Sequence, residues 1–114
     1  MEIEFWPENP SNSSAIEDLK KLLNKKEQKW YLSKLEKYEQ YPEKQLYRSK
    51  IIKKIQNWRL KEIRIKNIRF LGDILQGKFW VFAIEKKQRG QLPQSAFQRA
   101  KNIRDKFLNE KYEN

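Results

Sequence analysis

Residues 58–74 constrain the fold most, because they predict two strands joined by a tight turn at Lys66-Asn67. Apolar and polar residues alternate before the turn, which is typical of a half-buried strand. A two-residue loop fixes the register. It opposes Ile63 with Phe70, Arg64 with Arg69, and Ile65 with Ile68. Two directly opposed arginines destabilise a sheet unless an anion such as phosphate lies between them or both turn into solvent. The hairpin alone favours neither explanation.

The charge distribution favours a polyanionic partner. The 114-residue chain, predicted to form a single domain over residues 1–114, has a net charge of +11. Residues 1–18 hold five acidic and no basic side chains, so residues 19–114 carry a net charge of +16. A basic body of this size attracts nucleic acid first, although lysine-rich surfaces also serve solubility alone. Three of the seven arginines lie close together in the hairpin, at Arg59, Arg64 and Arg69, which favours nucleic acid.

The absence of two residue types excludes several chemistries. Without cysteine there is no disulfide or thiol chemistry, which fits a cytoplasmic protein. Without histidine, paired-imidazole ribonuclease chemistry, His-based metal sites and Ser-His-Asp or Cys-His nucleophiles are excluded. The carboxylates Glu62, Asp73 and Glu85 are scattered, which argues against a metal-dependent nuclease. We therefore predict no cofactor and no metal. No apolar run approaches the ~20 residues of a membrane span, so no membrane association is predicted.

The first half of the chain predicts a strand followed by helices. Residues 3–6 alternate as a short strand, and Ser14-Ala-Ile-Glu17 matches a capping box at a helix start. Asn24 is predicted to end that helix and cap a second one that stops near Pro42. These two helices form an αα-hairpin. A third helix is predicted after Pro42 from apolar residues at helical spacing: Tyr47, Ile51, Ile55 and Trp58.

The second half predicts a meander and a final helix. Residues 78–84 are almost continuously apolar, which suits a strand covered on both faces. A basic loop follows, and Pro93 opens a helix with a buried stripe that includes Ala96 and Phe107. Most aromatic residues, including Trp6, Trp30 and Trp58, are predicted to lie in the core. The fold class is therefore α+β: a small antiparallel sheet packed by an N-terminal αα-hairpin and a C-terminal helix.

Four segments together resemble the RelE/ParE toxin superfamily, and within it the HigB-like, phage-derived branch. They are Leu60-Lys-Glu-Ile-Arg64, Ile68-Arg-Phe70, Lys86-Lys87, and Arg99-Ala-Lys101 in the Pro-initiated helix. The resemblance covers residues 3–109 and implies a RelE-like fold. It also implies a toxin that cleaves mRNA in the ribosomal A site and is held in check by a small, DNA-binding antitoxin. The chain departs from many relatives in lacking a histidine near the end of the central strand.

The resemblance and the basic pattern together give the predicted site. The predicted catalytic residues are Lys61, Arg64, Arg69, Lys86 and Lys87, and the predicted RNA-binding residues are Lys66, Arg89, Arg99 and Lys101. In this chemistry the RNA 2′-hydroxyl attacks the adjacent phosphorus and the 5′-oxygen leaves. Arginines can clamp the phosphate with paired N–H bonds, and lysines can transfer protons or stabilise the developing charge. The absence of histidine leaves these side chains to perform the cleavage.

Two other functions remain open at this point. A ParE-like inhibitor of gyrase would use the same fold without cleaving phosphates. A non-catalytic RNA-binding protein would use the same basic residues. The Lys/Arg cluster favours the endoribonuclease over the gyrase inhibitor.

Overall fold

The computed structural model of the chain describes residues 1–7 and 14–112, apart from the side chains of Ser14 and Tyr112. These residues form five strands and four helices. The strands are β1 (Glu2–Phe5), β2 (Ile52–Ile55), β3 (Leu60–Ile65), β4 (Ile68–Leu75) and β5 (Lys78–Lys86). The helices are α1 (Ser14–Leu22), α2 (Lys25–Tyr38), α3 (Glu43–Arg48) and α4 (Gln94–Tyr112). Of the helices in the described ranges, none is long and apolar enough to cross a membrane.

The strands form one mixed sheet in the order β1-β5-β4-β3-β2. Strands β2 to β5 form an antiparallel meander, whereas β1 pairs with β5 in parallel. The α+β class is confirmed, but the prediction of a purely antiparallel sheet is wrong at β1. Helices α1 to α3 and strands β2 to β4 lie between β1 and β5 in the chain, and a long connection of that kind allows parallel pairing.

The predicted hairpin register is confirmed. Arg64 pairs with Arg69, Ile63 with Phe70, and Ile65 with Ile68. Lys66 takes the positive φ of 52° that a tight hairpin turn requires.

The predicted third helix is wrong beyond its first turns. Helix α3 ends at Arg48, and residues 52–55 form strand β2 instead. Ile52 pairs with Ile63 and is only 2% exposed. The spacing of apolar residues in this segment fits either structure. Pairing with β3 decides it, because it places Ile52 in the core beneath α1 to α3.

The break between α1 and α2 is confirmed. The Asn24 side chain accepts a hydrogen bond from the Glu27 amide at 2.8 Å, and the Glu27 carboxylate accepts one from the Asn24 amide at 3.1 Å. This reciprocal pair satisfies two amides that the first helical turn leaves free. The capping box predicted at Ser14 depends on a side chain outside the described residues.

Helices cover both faces of the sheet. Helices α1, α2 and α3 bury Ile63, Phe70 and other residues on one face, and α4 covers Leu60, Leu71 and Ala83 on the other. An irregularity between Leu71 and Gly72 leaves one extra residue in β5, so Phe82 and Ala83 both face α4. A Cβ at Gly72 would lie 1.8 Å from the Trp80 carbonyl oxygen, so only glycine fits there.

The tryptophans divide between core and surface. Trp6 is 6% exposed, as predicted, and packs edge-on against Phe107 with ring centroids 5.3 Å apart. Trp30 is 39% exposed, so its predicted place in the core is wrong. Trp58 is partly buried at the edge of the cluster beneath α4.

Candidate nucleic-acid interface

A cleft of about 540 Å³ opens where strands β2 to β4 meet the loop before α4 and the first turns of that helix. Five of its lining side chains are cationic and one is anionic. The cations are Lys53, Lys54, Arg64, Arg69 and Lys87, and the anion is Glu62. The other lining residues are Ile55, Gln56, Asn57, Trp58, Gln91, Leu92, Gln94 and Phe97. The cleft is therefore positively charged with a partly aromatic wall.

Arg69 is the most buried cation in this cleft, with 6% of the residue exposed. Its Nη1 donates hydrogen bonds to the Lys66 carbonyl oxygen at 2.7 Å and to the Ile68 carbonyl oxygen at 3.1 Å. These bonds fix the guanidinium plane. Among the described residues, no carboxylate forms an ion pair with Arg69. Buried charges in proteins are normally paired, so this guanidinium is suited to an external anion.

Neighbouring charges and burial both affect the pKa of the Arg69 guanidinium. Burial lowers the pKa of the Arg69 guanidinium, the opposed Arg64 lowers it further, and Glu62 raises it. An arginine stays charged at neutral pH even so. Arg64 lies on the same face and contacts Glu62 weakly, with Nε 3.8 Å from Oε1. A bound phosphate would lower the repulsion between the two guanidinium groups.

Lys87 and Lys86 diverge at the end of β5. The Lys87 amide donates to the Asn67 carbonyl oxygen at 2.7 Å, which holds the strand end beside the hairpin turn. The Lys87 side chain lines the cleft with Arg64 and Arg69. Lys86 is exposed and does not line it. Successive residues of a strand point to opposite faces, so the structure brings only one of the two predicted lysines to the arginines.

Lys61 lies apart from the arginine pair. Its Nζ donates to Asp73 Oδ1 at 2.7 Å, and Arg104 Nε donates to Asp73 Oδ2 at 2.9 Å. Lys61 lines a second cleft with Glu43 and Tyr47, and Lys54 borders both clefts. Asp73 is 4% exposed, so the two cations compensate a buried carboxylate. In this position Lys61 has a structural partner and is not directed toward Arg64.

The two predicted RNA-binding residues of α4 are also engaged. Arg99 Nη1 and Nη2 each donate to Asp18 at 2.8 Å, and Nη2 also contacts Glu85 at 3.1 Å. The hydrogen bond with Asp18 is the main reason that the pKa of Arg99 is raised, against the opposing effect of burial. Lys101 pairs with Asp105 at 2.9 Å. Neither residue lines the basic cleft.

Lys66 and Arg89 do not line the cleft. Lys66 Nζ sits 4.4 Å from the centre of the Trp30 ring, and Lys34 approaches the same ring at 5.2 Å. Arg89 is exposed in the loop after β5. The structure therefore does not bring Lys66 or Arg89 into the cleft.

Several lining residues were not predicted from the sequence. The sequence pattern predicts Lys53 and Lys54 in a helix, Trp58 in the core and Glu62 only as one of several scattered acids. No sequence pattern indicates Gln91, Gln94 or Phe97 as site residues. The run of basic residues immediately before the hairpin was the available clue, because a strand there places them beside β3.

No group of three His, Cys, Asp or Glu side chains that could hold a metal ion occurs in the part of the chain that the structure describes. The chain matches no protein-family model, no curated protein and no solved structure.

Proposed function

We propose that the protein is a toxin that cleaves ribosome-bound mRNA in the cytoplasm without a metal ion, and that the basic cleft binds the scissile phosphate. The observation that carries the proposal is Arg69, a buried guanidinium opposed by Arg64 and paired with no carboxylate of the described residues. The resemblance to the RelE/ParE superfamily supplies the substrate. The αα-hairpin and the C-terminal helix packed on the sheet support it, because the RelE-like fold has both.

The cleft offers the groups that this cleavage needs. Arg64 and Arg69 would donate N–H bonds to the non-bridging phosphate oxygens, where negative charge builds up. The 2′-oxygen would form a bond to phosphorus while the bond from phosphorus to the 5′-oxygen breaks. Glu62 is the carboxylate of the cleft lining and would accept the 2′-hydroxyl proton. Lys87 would give a proton to the departing 5′-oxygen, so that a 2′,3′-cyclic phosphate and a 5′-hydroxyl result.

An antitoxin partner follows from the same proposal. An acidic segment placed over the cleft would pair with the arginines and exclude RNA. The net charge of +16 over residues 19–114 favours fast association with both this partner and the ribosome.

Induced expression in bacterial cells tests the function. Growth and primer extension on cellular mRNA would be compared for the wild type and for the double variant Arg64→Ala/Arg69→Ala. The matched control is Lys44→Ala/Arg48→Ala, which removes two exposed charges of α3 outside the cleft. We expect cuts in translated codons with the wild type and the control, and none with the cleft variant. Removal of one such donor typically lowers a rate by about 10²- to 10³-fold.

Three other outcomes would each contradict a part of the proposal. Toxicity with intact mRNA and induced DNA damage would replace the proposal with the gyrase inhibitor. RNA binding without toxicity or cleavage would leave a non-catalytic RNA-binding protein. Full toxicity of the cleft variant would place the site elsewhere.

A further inference from the structure

The basic cleft has two ends of different chemistry. Arg64 lies near the end of β3, whereas Trp58 lies just before its start, so the two are separated by most of the strand's length. At about 3.3 Å per residue, Leu60 and Arg64 are roughly 13 Å apart. Trp58 packs against Phe97 with ring centroids 5.9 Å apart and planes inclined at 39°. The phosphate-binding arginines account for only one end.

The Trp58 side chain has an unused polar group. Its indole N–H donates no hydrogen bond within the described residues, whereas the Trp80 indole N–H donates to the Leu75 carbonyl oxygen at 3.2 Å. Asn57 and Arg59, which flank Trp58, have φ values of 73° and 54°. These two residues belong to the turn between β2 and β3, and positive φ values are common in tight turns, as at Lys66. The turn places Trp58 in the cleft wall.

Carboxamide side chains also line the cleft, and Gln56, Asn57 and Gln94 lie close in the chain to Trp58 or Phe97. The cleft is lined by Gln56, Asn57, Gln91 and Gln94, all of them exposed. Within the described ranges their side chains form no hydrogen bond. Each carboxamide carries both a donor and an acceptor, which is what the edge of a nucleobase requires.

We propose that this end of the cleft is a nucleobase subsite, in which an unpaired RNA base stacks on Trp58 and Phe97 and is hydrogen-bonded by the neighbouring carboxamides. The inference rests on the proposed RNA-binding function and adds a base-dependent contact to it. Aromatic side chains bind single-stranded RNA in this way because every base has a π-face. The simpler explanation is that the two rings only close the edge of the buried cluster beneath α4. The two explanations differ in whether binding depends on the base.

Fluorescence anisotropy with two labelled oligonucleotides distinguishes these two explanations. Both would have the same length and 2′-O-methyl riboses that prevent cleavage, but one would be abasic throughout. We expect the wild type to bind the oligonucleotide with bases about tenfold more tightly or better. Trp58→Leu should lose most of this preference and bind the abasic chain within about twofold of the wild type, since stacking needs a π-face. Trp58→Phe should retain most of the preference, and the exposed control Trp30→Leu should retain all of it.

Phe97→Leu provides a second test if Trp58→Leu folds poorly, as judged by its urea unfolding midpoint. Arg69→Leu should weaken binding of both oligonucleotides. If Trp58→Leu and Phe97→Leu weaken both equally, or leave the preference unchanged, the subsite is refuted while RNA binding stands. If the wild type binds neither oligonucleotide, the proposed function fails and the subsite fails with it.

Discussion

Asp18 of helix α1 and Arg99 of helix α4 are joined by two parallel hydrogen bonds of 2.8 Å. Asp18 also accepts the Ile84 backbone N–H at 2.9 Å, beyond the part of β5 that pairs with β1. One carboxylate thus satisfies an unpaired strand amide and connects helices from the two sides of the sheet. The acidic N-terminal segment therefore contributes directly to the fold of the basic body.

Replacing this carboxylate should destabilise the protein. We expect Asp18→Ala to lower the free energy of unfolding by about 1 to 2 kcal/mol, because it leaves Arg99 with Glu85 alone and the Ile84 amide without a partner. Urea denaturation measures the change. Arg99→Lys should give a smaller loss, since an ammonium cannot make the bidentate contact. Unchanged midpoints for both variants would contradict the structural role of the pair.

The buried carboxylate Asp73 gives a second stability prediction. Asp73→Ala leaves Lys61 and Arg104 without their common partner, and we expect a loss of about 3 kcal/mol in the free energy of unfolding. Denaturant titration followed by circular dichroism measures it. Lys61→Met should cost less, because Asp73 keeps Arg104. A fully stable Asp73→Ala protein would show that the two cations do not depend on the carboxylate.

Replacing one arginine of the pair should stabilise the fold and weaken anion binding. Arg64→Leu should raise the free energy of unfolding by about 0.5 kcal/mol, because it removes a like-charge contact from the sheet. Phosphate at ten times its dissociation constant should stabilise the wild type by about 1.4 kcal/mol, and this gain should disappear in Arg64→Leu. Thermal unfolding in phosphate and in chloride of equal ionic strength measures both effects. Equal phosphate stabilisation of the two proteins would contradict an anion site at the pair.

Tyr31 predicts a loss of stability at alkaline pH. Burial raises the pKa of its hydroxyl above the ordinary value of 10.0, and Glu27 raises it further. The folded state then holds this proton more tightly than the unfolded state. The stabilisation is complete below pH 10 and is lost as the pH rises through the folded pKa. Urea midpoints at pH 8 and pH 11 should differ less in Tyr31→Phe than in the wild type. An equal pH dependence would assign the effect to other groups, such as Tyr47, whose pKa is also raised by burial.

Much of the hairpin and helix structure was predictable because it depends on neighbours in the sequence. The register across Lys66-Asn67 follows from loop length alone, and the α1–α2 break follows from a capping pair three residues apart. The sequence pattern predicts a helix where strand β2 lies, because the apolar residues of this segment suit both structures. Parallel pairing of Glu2 with Lys78 was not predictable, because the two residues lie far apart in the sequence.

The candidate site, like the fold, was predictable from the sequence only in part. The sequence by itself determined the basic surplus, the absence of imidazole and thiol, and the opposition of Arg64 and Arg69, since composition and a two-residue turn set these. Only the tertiary structure decided which cations are available. Asp73 and Asp18 pair with Lys61 and Arg99 across 12 and 81 residues, whereas no described carboxylate reaches Arg69. Ion pairing depends on distances of a few ångströms, and these exist only after the helices have packed on the sheet.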